Sequence, residues 1–191
     1  MAGLSTVVST KRVSACHSKG VLIFTDISRF IRLFSFLPGL LLLCLLPGAV
    51  SASVDRQIEE ILNRSEAPDG VVFEIVESDD DALEVILPRI RAAIERIRER
   101  HPQTDFAVVS HGREEFALQS KYQQELAPLH QQVQSLVAED VPVHVCETHA
   151  GWYGVTAEDF PSYVNVAPTG PGQVNLYQEL GYQLVIFDLD E

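Results

Sequence analysis

Asp105-Phe106-Ala107-Val108-Val109-Ser110-His111-Gly112 is the stretch on which the fold turns. Its centre is short, apolar and unrelieved by polar residues, as a strand covered on both faces must be. Upstream, Leu83, Ile86, Leu87, Ile90, Ile94 and Ile97 share one helical face, and Arg89, Arg91, Arg96, Arg98 and Glu99 point to water. Ser78 and the three aspartates after it read as an N-cap with acids in the first turn. Pro88 falls inside this helix, where a proline costs about 3 kcal/mol unless its surroundings compensate. Further back, Val71 to Val76 repeats the buried-strand pattern. Strand, amphipathic helix, strand implies parallel pairing, because a parallel crossover needs a helix.

The pattern continues downstream. Tyr122 to Glu139 reads as a helix with Leu126, Leu129, Val133, Leu136 and Val137 inward, and Val141 to Cys146 as a third strand. A short helix from Glu147 to Tyr153, a fourth strand from Tyr163 to Val166, a loop over Pro168 to Gly172, a helix from Val174 to Leu180 and a strand from Leu184 to Leu189 follow. The expected architecture is a three-layer α/β/α sandwich with a five-stranded parallel sheet over residues 71–191. Val54 to Arg64, with Val54, Ile58, Ile61 and Leu62 at helical spacing, adds a helix and linker over 53–70.

Residues 1–52 read differently. Arg29 and Arg32 precede an apolar run from Leu33 to Leu46, and Pro47-Gly48 turns the chain into Ala49-Val50-Ser51-Ala52. Basic flank, short apolar core and small residues make a secretory signal, with cleavage expected after Ala52. The core is shorter than the roughly 20 apolar residues of a comfortable span, so no stable membrane insertion is expected once it is cut; a retained anchor is the alternative. Export places the mature chain in the periplasm or outside the cell. Since Met1 is the sole methionine, translation from Val21 or Leu22 is a second option for the start.

The presequence takes five of the 14 basic residues and one of the 27 acids. Nine Lys and Arg against 26 Asp and Glu remain, a balance of −17. Such a field repels phosphate backbones, and no nucleic-acid partner is expected. Cys16 and Cys44 also leave, so Cys146 is the one mature cysteine and no internal disulfide can form.

In open α/β sheets, sites lie beyond the carboxyl ends of the strands. Three ends carry chemistry here: Ser110-His111-Gly112-Arg113; Cys146 with His149, Trp152 and Tyr153; and Ala167-Pro168-Thr169-Gly170. Cys146 would head a helix whose free N–H groups face its sulfur, an arrangement that lowers a thiol pKa. His111, His149 and Arg113 are its candidate polar neighbours, whereas Glu147 opposes thiolate formation. The competing reading is a small apolar residue closing a buried strand. Trp152 would wall a pocket or meet another subunit, and Gly170 offers backbone amides to an anion unless the loop is a plain turn. His144 reads as a core histidine, and His101 and His130 as surface residues. His111, His149 and Cys146 lack a diagnostic metal spacing, and neither metal nor cofactor is expected.

Val143-His144-Val145-Cys146, then Gly154-Val155, Glu158-Asp159-Phe160, a Gly-rich turn and the closing Leu180-Gly181-Tyr182 resemble the DsrE/DsrF-like family, which includes the DsrE and TusD sulfur-relay proteins. The resemblance covers roughly residues 71–189. It implies the same five-stranded sheet, a homo-oligomer (trimer or hexamer), and a cysteine at the position of Cys146 that receives sulfur as a persulfide from a donor protein and passes it to an acceptor. The relay members work in the cytoplasm, whereas this chain carries an export signal. An exported binding or assembly module with a structural Cys146 is the alternative.

Overall fold

The computed structural model of the protein describes residues 53–189; the expected signal segment and its cleavage site lie outside the described residues. The elements run α1 (Val54–Leu62), β1 (Gly70–Ile75), α2 (Ala82–Arg100), β2 (Asp105–Ser110), two 3-10 turns (Arg113–Leu118 and Ser120–Tyr122), α3 (Ala127–Ala138), β3 (Val143–Cys146), α4 (Glu147–Trp152), a 3-10 turn (Ala157–Asp159), β4 (Asn165–Ala167), α5 (Gly170–Glu179) and β5 (Tyr182–Phe187). The five strands form one sheet in the order β4-β3-β2-β1-β5, and every pairing is parallel. The chain is therefore an α/β protein with a five-stranded all-parallel sheet between helices.

Alternation along the strands divides the core. Val71, Phe73 and Ile75 of β1 join Phe106 and Val108 of β2 in a large cluster with the inward residues of α1, α2 and α3. Val72, Ala107 and Val109 point the other way and meet Val174 of α5. Phe73 organises the larger side, with Phe106 stacked at 6.3 Å and Phe187 edge-on at 5.7 Å between ring centroids. Burial of β1 and β2 on both faces is what their continuous apolar runs required.

Several boundaries differ from the sequence reading. The helix α2 is capped at Asp81 rather than Ser78; the Asp81 amide donates to Asp79 Oδ1, so the aspartates form a turn before the helix. Pro88 lies on the exposed side of an unbroken 19-residue helix. The helix expected from Tyr122 starts five residues later, at Ala127, because the chain before it is spent in 3-10 turns. The expected loop at Pro168–Gly172 is largely the first turn of α5. Thr169 caps it through Oγ1, which accepts from the Gly172 amide at 3.1 Å, and Pro171 occupies the opening turn, where a missing N–H costs nothing. Gly181 then reverses the chain at φ +90°, against the Asp69 carboxylate, before β5.

His101 and His130, expected at the surface, are buried at 4% and 2% exposure. Each ring reaches a main-chain acceptor that a helical wheel does not show: His101 Nε2 meets Ile61 O at 3.1 Å, and His130 Nε2 meets Ala117 O at 3.1 Å. Among the described residues, no helix is long and apolar enough to cross a membrane.

Candidate functional site

The site is built where β2 and β3 end side by side. Ser110 pairs with Val145 as the last register pair, so the chains leave the sheet together at His111 and Cys146. Beyond β2, Gly112 allows a turn tight enough that a Cβ would strike the Glu114 carboxylate and the Glu77 backbone. The 3-10 turn that follows carries Glu114 and Glu115 inward, both with 0% exposure.

These two carboxyls tie four chain segments together. Glu114 Oε1 accepts from Ser110 Oγ at 2.8 Å and from the Gly112 amide at 3.0 Å, while Oε2 accepts from the Glu77 amide at 2.8 Å. Glu115 Oε2 accepts from the Cys146 amide at 2.7 Å, and its Oε1 lies 2.9 Å from His149 Nδ1. Burial pushes the Glu114 pKa up, against the hydrogen bonds from Gly112, Ser110 and Glu77. Burial pushes Glu115 further, to about 8; the Cys146 amide and the His111 charge oppose this, and the Glu114 charge adds to it. The His149 imidazole goes the other way, lowered first by burial.

Cys146 ends β3 and caps α4. Its Sγ accepts from the His149 amide at 3.3 Å, and the residue is 4% exposed. Above it the His149 ring stacks on Phe116 at 5.4 Å and meets Trp152 and Tyr153 edge-on at 5.5 and 5.3 Å. The His149 amide gives the sulfur one donor, and the near-complete burial limits which reagents arrive.

The other sequence-chosen residues divide. His111 Nε2 lies 2.8 Å from Glu74 Oε1, and its ring packs against Gly170. By strand alternation His111 belongs to the α5 face of the sheet. Arg113 is not aimed at the thiol: Nε and Nη2 hold the two Asp80 oxygens at 2.9 and 3.1 Å, and this pairing raises its pKa. Trp152 is 75% exposed and forms an outer rim rather than a pocket wall. Gly170 is buried at the start of α5 instead of presenting amides from an open loop. His144, expected in the core, is half-buried, with Nε2 2.9 Å from the Tyr177 hydroxyl.

Glu114 and Glu115 were the residues that sequence reading passed over. The available signal was their position, an acid pair between a strand end and the apolar run Phe116-Ala117-Leu118. On the far side of Phe116 a groove of about 210 Å³ opens, lined by Asp80, Asp81, Tyr122, Glu125 and Leu126. No group of three or more His, Cys, Asp or Glu side chains among the described residues is arranged to hold a metal ion.

No family model matches the chain, and no curated protein sequence matches it. Solved structures do. A protein of unknown function from Methanobacterium thermoautotrophicum, MTH1491, aligns with a TM-score of 0.49 at 20% identity, over 61% of this chain and 97% of that one. A conserved protein of unknown function from Bacteroides thetaiotaomicron, BT1422, aligns with a TM-score of 0.41 at 10% identity, over 61% and 94%.

Proposed function

We propose that the domain is a thiol-based sulfur carrier or transferase in which Cys146 is the acceptor. The observation that carries this reading is the capping of α4 by Cys146, whose Sγ accepts the His149 amide at the end of an inner strand. The likeness of the block from Val143 to Phe160, and of the closing Gly181-Tyr182, to the DsrE/DsrF-like family supplies the class of reaction. The Cys146 thiolate attacks the outer sulfur of a donor persulfide. The S–S bond of the donor breaks, its thiolate leaves, and Cys146 holds the sulfane sulfur as its own persulfide; the reverse exchange with an acceptor thiol discharges it. His149 stands beside the sulfur, and His111 ends the neighbouring strand. Arg113, bound to Asp80, is left out of the step, and so is Gly170 as an anion cradle.

A second reading, an assembly or binding module with a structural Cys146, is favoured by the 4% exposure of that residue. Incubating the mature protein with a sulfane-sulfur donor and weighing it intact separates the two. Gain of about one sulfur (~32 Da), absent in Cys146→Ser, supports the carrier. No adduct, with alkylation slow in the native protein and fast after unfolding, supports the module.

Export and homo-oligomerisation belong to the same proposal. The first is tested by N-terminal sequencing of the secreted chain, expected to begin at Ser53; the second by light scattering of the mature protein, where a trimer or hexamer is expected.

A further inference from the structure

We infer that Glu115 is the positioning residue of this strand-end site: its buried carboxyl and the His149 imidazole hold one proton between them, and the state of that pair sets how readily the Cys146 thiol ionises. The effect on the thiol rests on the proposed role of Cys146; the shared proton does not.

Glu115 has 0% exposure, and a carboxylate taken from water needs a cation or several donors to remain ionised. Its donors are one backbone amide, from Cys146, and whatever His149 offers. Each charged neighbour is otherwise engaged or of the wrong sign. Arg113 grips Asp80, His111 is held by Glu74, and Glu114, the preceding residue, is a second buried carboxyl that repels a charge on Glu115. An imidazolium at His149 would be the natural partner, but that ring sits between Phe116, Trp152 and Tyr153, and burial lowers its own pKa.

Both partners are thus driven towards their uncharged forms, and one arrangement satisfies every short contact. The Glu115 carboxyl carries its proton on Oε1 and donates it to His149 Nδ1, while Oε2 accepts the Cys146 amide. The ring proton of His149 then belongs on Nε2, which has no protein partner among the described residues.

The consequence for the thiol is electrostatic. A neutral Glu115 places no negative charge beside the Cys146 main chain. Losing its proton would put a carboxylate one hydrogen bond from the residue whose sulfur must ionise, and the two titrations become coupled. Ionisation of the thiol is then favoured while the pair keeps its proton and opposed once it is lost.

The test uses the mature protein and needs no ligand. Carbon-13 NMR of the Glu115 carboxyl and nitrogen-15 NMR of the His149 ring are followed from pH 5 to 10, with iodoacetamide alkylation of Cys146 over the same range. The expected result is a Glu115 carboxyl that titrates near pH 8, with the proton on the neutral His149 ring moving from Nε2 to Nδ1 at the same step. In Glu115→Gln, whose amide can still donate to Nδ1, the ring step near pH 8 disappears. Alkylation at pH 9 then runs at least roughly threefold faster than in the wild type, as removal of a coupled charge requires. A Glu115 carboxyl titrating like a solvated one, near pH 4 to 5, overturns the inference in the wild-type protein alone, whatever the variant does. So does a His149 titration identical in both proteins. A coupled pair beside a Cys146 that is never alkylated supports the shared proton and removes the carrier reading instead.

Discussion

Gly170 lies so close to His111 that a Cβ at residue 170 would overlap the Cβ, Cγ and Cδ2 atoms of the imidazole. The contact seats the first turn of α5 on the end of β2 and fixes the ring that reaches Glu74. Gly170→Ala should therefore be destabilising by about 1–3 kcal/mol, the usual cost of forcing volume into a packed site. Gly172 is the milder comparison, since an added Cβ there meets only Thr169, chiefly the Oγ1 that caps α5. Urea unfolding should show a lower midpoint at unchanged slope for the first variant and a smaller change for the second.

Glu115 gives the stability of the domain a pH dependence of unusual sign for a carboxylate. Its folded pKa is raised to about 8 from 4.5, so between those values the native chain keeps a proton that the unfolded chain has released. Stability contributed by that proton is complete below the lower value and is lost as pH rises through the upper one. Each tenfold change in proton affinity on folding is worth about 1.4 kcal/mol before screening is discounted. Glu115→Gln removes the effect. Relative to the wild type the variant should gain stability from pH 5 to pH 9, by an amount on the order of a few kcal/mol. Urea titrations at the two pH values measure it; a difference that stays flat would mean that Glu115 is ionised in the folded protein.

The inner strands β1 and β2 were legible because they are covered on both faces and almost wholly apolar: β2 runs over Asp105–Ser110, as its sequence demanded. The edge strands β4 and β5, which carry exposed residues, begin two residues away from the expected Tyr163 and Leu184. Ends were less legible. Ser78 looked like a cap by residue type, yet Asp79 and Asp81 form the turn, a choice among near-equivalent polar residues that residue type does not decide. The start of α5 was hidden because Gly and Pro signal loops, although Pro in a first turn is compatible with a helix. The site itself was half legible. Cys146 and His149 stand out by position at a strand end. Glu114 and Glu115 do not, because acids are rarely buried and their partners come from β1, β2, β3 and α4, segments brought together only by the fold. Helical periodicity likewise says nothing of the carbonyls that receive His101 and His130.

His130 makes the last of these points measurable. Nδ1 lies 2.6 Å from the Tyr163 hydroxyl and Nε2 reaches Ala117 O, so the ring ties α3 to the segment before β4 and to the 3-10 turn carrying Glu115. Burial lowers its pKa below the ordinary 6.5. The unfolded chain therefore binds a proton that the folded chain refuses, and the contribution of His130 is complete above the ordinary value and declines as pH falls below it. Tyr163→Phe should cost about 1–2 kcal/mol at pH 7 by leaving a buried ring nitrogen without its partner. In His130→Gln the loss of stability between pH 7 and pH 5 should be shallower than in the wild type. Equal slopes in the two proteins would place the acid sensitivity elsewhere, with His144 and His149, also lowered by burial, as the next sites to test.

Trp152 is the single tryptophan of the chain, and its 75% exposure beside Tyr153, 54% exposed, leaves an aromatic rim around His149. Truncating so exposed a ring should change the stability of the monomer by no more than about 0.5 kcal/mol. Phe116→Ala is the contrast: that ring stacks on His149 and meets Tyr153 edge-on at 5.0 Å, and its loss should cost about 1–3 kcal/mol. Intrinsic fluorescence then reports on assembly without a label. If the aromatic rim packs against another subunit, as interface cores enriched in Trp and Tyr do, Trp152 emission should move to shorter wavelength as protein concentration rises. The shift should coincide with the increase in mass by light scattering, and Trp152→Ala should weaken that association while leaving the urea midpoint of the dilute protein in place. Emission that stays water-like while the mass increases would put the contact on another face and leave this rim open beside Cys146.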